Sequence, residues 1–272
     1  MVPNILPNWA RVFLSIATVL SYLPQYHRIT EQGTCDGLSL YYVFFMLISA
    51  TEQISIGFFL NVNGRGLPRE DVFVNNPATL GDWCNLAQLA VVWVSVLALF
   101  IQCLRYSSFS AEKRAAGCRL LVIYICFLCV SLIPMVVDAI YANSRSERRQ
   151  YARDAFLFAH YLGFLPVSSI LTLAAVIPQA REIRRRQGRP GALSLPSLAA
   201  QSVISAILAI SWMIRVKYPP YLPSWDGWYR LIGWPVVNNG LSAFVQGALL
   251  WRALCSSSND VQNGEMQPLL VP

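Results

Sequence analysis

The sequence predicts an all-α integral membrane protein in which seven transmembrane helices form two parallel three-helix repeats joined by a linker helix. Three observations predict it. Of 272 residues, 55% are hydrophobic and 13% charged, a balance outside that of ordinary soluble domains. Seven apolar windows follow one another along the chain, each of about 20 residues and so long enough to cross a bilayer as a helix. A Pro-Gln pair closes two of those windows, in SYLPQ (21–25) and AVIPQA (175–180).

The windows lie at 9–27, 38–60, 83–104, 119–142, 155–179, 193–214 and 231–252. The first carries one Arg and runs into Pro24 and Gln25, without the basic start and small-residue cleavage site of a signal peptide. It is read as a retained span. Proline lacks an amide hydrogen, and its ring clashes with the carbonyl four residues back. Pro24 therefore frees the Leu20 carbonyl, Pro178 frees that of Ala174, and both helices are expected to bend. Gln25 and Gln179 carry amides able to satisfy loosened backbone groups that lipid cannot.

The second window holds Glu52 deep within YYVFFMLISATEQISIGFFL. An ionisable group at such depth costs on the order of 2.5–3.5 kcal/mol on insertion scales, which makes Glu52 a candidate for carrying a proton. The third window opens with GDWCNLAQ (81–88), placing Asp82 and Asn85 near its start, and the seventh opens with GWPVVNNG (233–240), which holds Asn238 and Asn239. The fourth carries Pro134 as an ordinary kink and Asp138 near its end. His160 in the fifth reads as a satisfied core residue, and Trp83, Trp212, Trp225, Trp228 and Trp234 read as an interfacial belt. The seven cysteines show no regular spacing, so no disulfide framework is expected, and Cys126 and Cys129 read as packing residues.

Aligning the Pro-Gln pairs sets PQYHRITEQGTCDGLSL against PQAREIRRRQGRPGALSL. With one residue inserted in the second copy, Pro24, Gln25, Ile29, Gly33, Leu38, Ser39 and Leu40 match Pro178, Gln179, Ile183, Gly188, Leu193, Ser194 and Leu195. Matches held in register at the same place relative to a span boundary are the mark of an internal repeat. Repeat 1 then covers 9–104, the linker helix 119–142 and repeat 2 155–252, within a seven-span domain of residues 1–260. Four crossings separate the repeats, so they run parallel, an architecture that places a ligand site at their interface.

These paired Pro-Gln motifs, each followed by a G-L-S-like turn in a seven-span chain, resemble the PQ-loop family, which includes cystinosin, the lysosomal and vacuolar cationic amino-acid transporters and, more distantly, the SWEET sugar transporters. The resemblance implies a small-solute carrier working by alternating access, with Pro24, Gln25, Pro178 and Gln179 as paired hinges. It implies that Asn85 and Asn238 or Asn239 line the substrate cavity. Members of the amino-acid branch place an acidic residue in the seventh span, and here there is none. Glu52, Asp82 and Asp138 are left as proton-coupling candidates. A sugar or other neutral-solute facilitator, and a non-transporting receptor of the same fold, stand as alternatives.

No metal cluster, nucleophile triad or phosphate loop is visible in the sequence, so neither an enzyme nor a cofactor is expected. The net charge is +7, and the basic run REIRRRQGR (181–189) follows a span directly. It reads as a cytoplasmic anchor at the lipid surface rather than a nucleic-acid contact. Residues 253–272 read as a flexible polar tail, in which Glu265, Leu269 and Leu270 form an acidic dileucine pattern for a sorting adaptor. With the resemblance, that pattern implies a vacuolar or lysosomal membrane, a lumenal N-terminus and a cytoplasmic C-terminus.

Overall fold

The computed structural model describes residues 6–63, 73–75, 77–106, 111–140, 147–186, 191–215 and 225–265, and among them there is no strand. The helices are α1 (Asn8–Gln32), α2 (Leu40–Phe58), α3 (Leu80–Tyr106), α4 (Ala111–Ile140), α5 (Glu147–Phe158), α6 (Leu165–Ala174), α7 (Val176–Arg185), α8 (Leu195–Arg215), α9 (Trp225–Trp228) and α10 (Trp234–Glu265). Three π-helical segments, Phe59–Asn63, Ala159–Phe164 and Tyr229–Gly233, extend α2, join α5 to α6 and join α9 to α10.

Five helical stretches among the described residues are long and apolar enough to cross a membrane: Leu40–Asn63, Leu80–Tyr106, Arg114–Ile140, Gln150–Arg185 and Leu195–Arg215. The first and seventh predicted windows fall on α1 and α10, which form as helices of 25 and 32 residues but lie outside that set. Their polarity is the reason. α1 carries Arg11, Gln25, His27, Arg28 and Glu31, and α10 carries Asn238, Asn239, Gln246 and Arg252.

The polarity of α1 is inverted relative to a helix on a water-soluble domain. Its buried face includes Arg11, Thr18, Ser21, Tyr22 and Gln25, at helical spacing. Its exposed face presents Trp9, Val12, Phe13, Ile16, Leu20 and Leu23. Apolar groups outside and polar groups inside suit a helix whose surroundings are hydrocarbon. α4 is similarly apolar outside, and only 22% of its span is buried, against 83% for Leu40–Asn63. α2 is therefore the central helix and α4 a peripheral one.

Packing order is the same in the two halves. α3 contacts both α1 and α2, and α10 contacts both α6 and α8. Between the halves, α1 packs on α8 and α2 on α6. The first helix of each half thus lies against the second helix of the other. The main apolar core, built around Val43, Leu47, Phe100, Leu193 and Leu249, draws on both halves.

Several details depart from the sequence reading. Trp212 and Trp234 are buried, both stacked on Phe73 at centroid distances of 5.8 and 5.4 Å. They are not part of an interfacial belt. Stacking of this kind adds about 0.5–1.5 kcal/mol per pair beyond area burial, which fixes the loop before α3 against α8 and α10. Trp225 remains exposed. Cys126 and Cys129 lie exposed on α4 rather than packed, and all seven cysteines are free. α10 runs to Glu265, past the start expected for a tail at 253, because no proline interrupts 236–265. Leu269 and Leu270 lie outside the described residues.

Candidate functional site: a polar cavity between two unlike ends

The two Pro-Gln pairs occupy equivalent places but are built differently. Pro24 lies inside α1, which continues to Gln32 and ends at Gly33, whose φ of 60° supplies the left-handed turn that glycine adopts without a Cβ penalty. Pro178 follows a break at Ala175 between α6 and α7. The side chains of the glutamines reach across to the opposite half instead of back to their own helix. Gln25 donates from Nε2 to the Ala192 carbonyl at 2.7 Å and accepts from the Ser194 amide at 2.9 Å. Gln179 donates to the Gly37 carbonyl and accepts from the Ser39 amide, both at 2.8 Å. In the repeat alignment Leu38 and Ser39 correspond to Leu193 and Ser194, so each glutamine grips the same turn in the other repeat.

Both glutamines are buried, at 3% and 0% exposure. The turns they grip also meet each other, through the Ala192 amide on the Asp36 carbonyl at 2.7 Å. Outside this layer, Arg28 donates to the Gly191 carbonyl at 2.7 Å, and Arg186 pairs with Asp36 at 3.4 Å. The Pro-Gln end is closed by main chain held on neutral amides, with charged side chains at its rim.

Beneath this layer a narrow cavity runs inward from Gln25, Leu38 and Leu193. A second, of about 30 Å³, continues toward the bundle centre and shares Tyr22, Met46, Val96, Gln201 and Gln246 with it. The central cavity takes Thr18 and Ser21 from α1, Ser49 and Gln53 from α2, Gln201 from α8, and Asn239 and Gln246 from α10. None of its lining residues is an acid, a lysine, an arginine or a histidine. A relay orders its wall: Gln246 donates to Gln201 at 3.0 Å, Gln201 to the Ser197 hydroxyl at 2.9 Å, and Ser197 to the Ser21 carbonyl at 2.6 Å. Gln246 Oε1 is left buried without a partner.

Of the three asparagines singled out in the sequence, only Asn239 lines the cavity, its Nδ2 donating to the Pro235 carbonyl at 2.7 Å. Asn238 points elsewhere and accepts from the Ser169 hydroxyl at 2.8 Å. Asn85 lies at the end opposite the Pro-Gln pairs. There its Oδ1 accepts from Arg11 Nη1 at 2.9 Å and from Arg215 Nη1 at 3.0 Å. Arg11 also donates to the Gly81 carbonyl at 2.6 Å, and Arg215 to Gln88 Oε1 at 2.6 Å and Ser211 Oγ at 2.9 Å. The Arg215 guanidinium stacks 4.7 Å from the Trp212 ring centre. Sequence reading missed both arginines because they sit at window edges, where a basic residue ordinarily reads as an interfacial anchor.

The three carboxylates have distinct settings. Glu52, wholly buried, meets His160 Nδ1 at 2.9 and 3.0 Å through its two oxygens. Phe156 stacks on the imidazole at 4.0 Å, and Phe164 meets it edge-on at 5.0 Å. The pair joins α2 to the π-helical segment of the other half, so one proton can be exchanged between two groups shielded from bulk water. Asp82 accepts from Thr79 amide and hydroxyl at 2.8 Å and from Asn75, fastening the loop before α3. Asp138 binds Arg153 at 2.9 Å and Asn63 at 2.7 Å, tying α4 to α5.

Comparison with curated proteins gives no match, and neither does comparison with solved structures. One family model matches, that of the PQ loop repeat, over residues 9–63. The matched stretch holds Pro24, Gln25 and the turn gripped by Gln179, and over these residues the chain is similar to the PQ loop repeat.

Proposed function

We propose that the chain is a small-solute transporter of seven spans, with α1 and α10 completing the five apolar helices and a solute bound in the central cavity. The observation that carries this reading is the central cavity, lined by polar side chains from both halves. The cross-repeat grip of Gln25 and Gln179 supports alternating access, since opening the Pro-Gln end requires those four hydrogen bonds to part together. The solute class is an amino acid, on the resemblance and on the shielded Glu52–His160 pair as the proton carrier. The membrane is vacuolar or lysosomal, with an adaptor reading Glu265, Leu269 and Leu270.

A second reading is a facilitator for sugars or another neutral solute. The all-neutral cavity wall favours it. A receptor of the same fold is the reading left if no solute moves. The test is uptake of labelled amino acids and sugars into proteoliposomes, with and without an imposed proton gradient, for wild type and Glu52→Gln. Gradient-stimulated uptake of an amino acid, abolished in the variant, is the expected result. Uptake indifferent to gradient and variant selects the facilitator. A folded protein that moves nothing sinks the transporter reading.

A further inference from the structure

The relay along the wall of the central cavity has a fixed direction. The Ser21 carbonyl can only accept, so the Ser197 hydroxyl donates to it. The Ser197 oxygen then accepts from Gln201 Nε2, which turns Gln201 Oε1 toward Gln246 and obliges Gln246 to present its own Nε2. One main-chain carbonyl thus sets the orientation of both amides. The Tyr42 hydroxyl meets Gln246 as well, on the nitrogen side of the amide, since Oε1 has no partner. What remains is Gln246 Oε1, a buried acceptor on a side chain 2% exposed that lines both cavities.

Other groups on the wall have spent their hydrogens on main chain. Thr18 Oγ1 donates to the Leu14 carbonyl at 2.8 Å and Ser21 Oγ to the Thr18 carbonyl at 2.7 Å, which leaves these oxygens their lone pairs. Asn239 Nδ2 is held by the Pro235 carbonyl, so Oδ1 is the atom left to accept. Two helices from opposite halves, α1 and α10, therefore offer acceptors from four side chains. A buried acceptor left unmet costs its desolvation, so the wall favours an occupant that donates. An ammonium group has three donors and no acceptor, whereas the oxygens of a polyol bring lone pairs that these four groups do not meet. No lining residue carries a positive charge, and neutral oxygen dipoles can replace the hydration shell of a cation. The cavity of about 30 Å³ has room for about two water-sized groups, at roughly 10–15 Å³ each.

We propose that Gln246 Oε1, with Thr18, Ser21 and Asn239, binds the protonated amine of a small solute in the central cavity. The proposal rests on the transport reading for the passage of that solute, and it narrows the substrate class to one bearing a primary ammonium group. Binding itself does not require that solute cross.

The test is the thermal unfolding midpoint of the full-length chain in detergent. It is titrated with methylammonium chloride, with potassium chloride at equal ionic strength, and with acetamide as a neutral N–H donor. Methylammonium is expected to raise the midpoint in a saturable manner, with potassium and acetamide giving weaker responses. Gln246→Met removes the acceptor at similar length and is expected to raise the half-saturating concentration about tenfold or more, the loss of one bond to a charged donor. Thr18→Val keeps the shape of its side chain and is expected to raise it by a smaller factor. That variant leaves the relay intact, so it decides the matter if Gln246→Met does not fold. A methylammonium response that fails to saturate, an equal response to potassium or to acetamide, or an unchanged half-saturating concentration in the folded variants would each overturn the proposal. A protein that binds methylammonium but moves no solute keeps this site and loses the transport reading, and one that moves solute without binding methylammonium does the reverse.

Discussion

The two ends of the bundle are held by opposite means. At the Pro-Gln end, two neutral glutamine amides hold four main-chain groups of the opposite halves. At the other end, two guanidinium groups converge on one asparagine oxygen. Main-chain groups keep their places whatever the side chains around them, so the first closure is set by the shape of two turns and is indifferent to charge. The second is made by two buried arginine side chains, so its strength depends on the charges around it.

The largest effect expected on this comparison comes from removing both amides. Gln25→Leu with Gln179→Leu orphans two buried amides and two buried carbonyls, at on the order of 1–3 kcal/mol for each group. The double variant should unfold at a much lower temperature in detergent, and the two single variants should lose similar amounts. A marked inequality between the singles would break the equivalence of the two halves. Adding salt should leave these losses unchanged, in contrast to any loss measured at Arg215.

A smaller effect separates two glycines at the same end. Gly33 and Gly191 both have left-handed φ, at 60° and 53°. A Cβ at Gly33 meets nothing within 4 Å, whereas at Gly191 it meets the Asp36 carbonyl and the Arg186 guanidinium. Gly33→Ala should cost about 1–2 kcal/mol from backbone conformation alone. Gly191→Ala should cost more and also loosen the turn gripped by Gln25. Faster reaction of a cysteine placed at Ser197 with a water-soluble maleimide would register the opening. Equal reactivity in the two variants would show that the turn is not part of the closure.

The smallest effect is expected at the periphery. Asp226 and Arg230 pair at 2.8 Å, with side chains 63% and 35% exposed. Asp226→Asn should change stability by about 0.5 kcal/mol or less, and salt should abolish the difference. A larger change there would mean that the arginine end extends further than Arg11 and Arg215.

The helical fold was legible because hydrocarbon leaves a one-dimensional trace: a run of apolar residues about 20 long needs no knowledge of partners. The likeness of the two Pro-Gln segments was legible in the residues that match from Pro24 and Pro178 onward. The grip of the glutamines was not, since Gln25 and Ala192 lie 167 positions apart and Gln179 and Gly37 lie 142 apart. A proline next to a polar residue suggests local repair of the helix, and nothing in the pattern points across the bundle. Glu52 stood out by depth, but its partner His160, 108 positions on, carried no signal beyond being ionisable in an apolar segment. Arg11 offered one usable sign, that it ends a stretch whose other polar residues, Ser15, Thr18, Ser21 and Gln25, recur every three or four positions.

The inverted polarity of α1 also constrains how the protein is made. A helix that presents Arg11, Thr18, Ser21 and Gln25 on one side gains little by entering lipid alone, and the groups that complete this side include Ala192, Ser194 and Ser197. At ribosomal speed those residues emerge about 10–30 s after Gln25. During that interval the nascent first half keeps its polar side in the company of the insertion machinery or of α3, and it becomes a finished membrane unit only when the second half arrives.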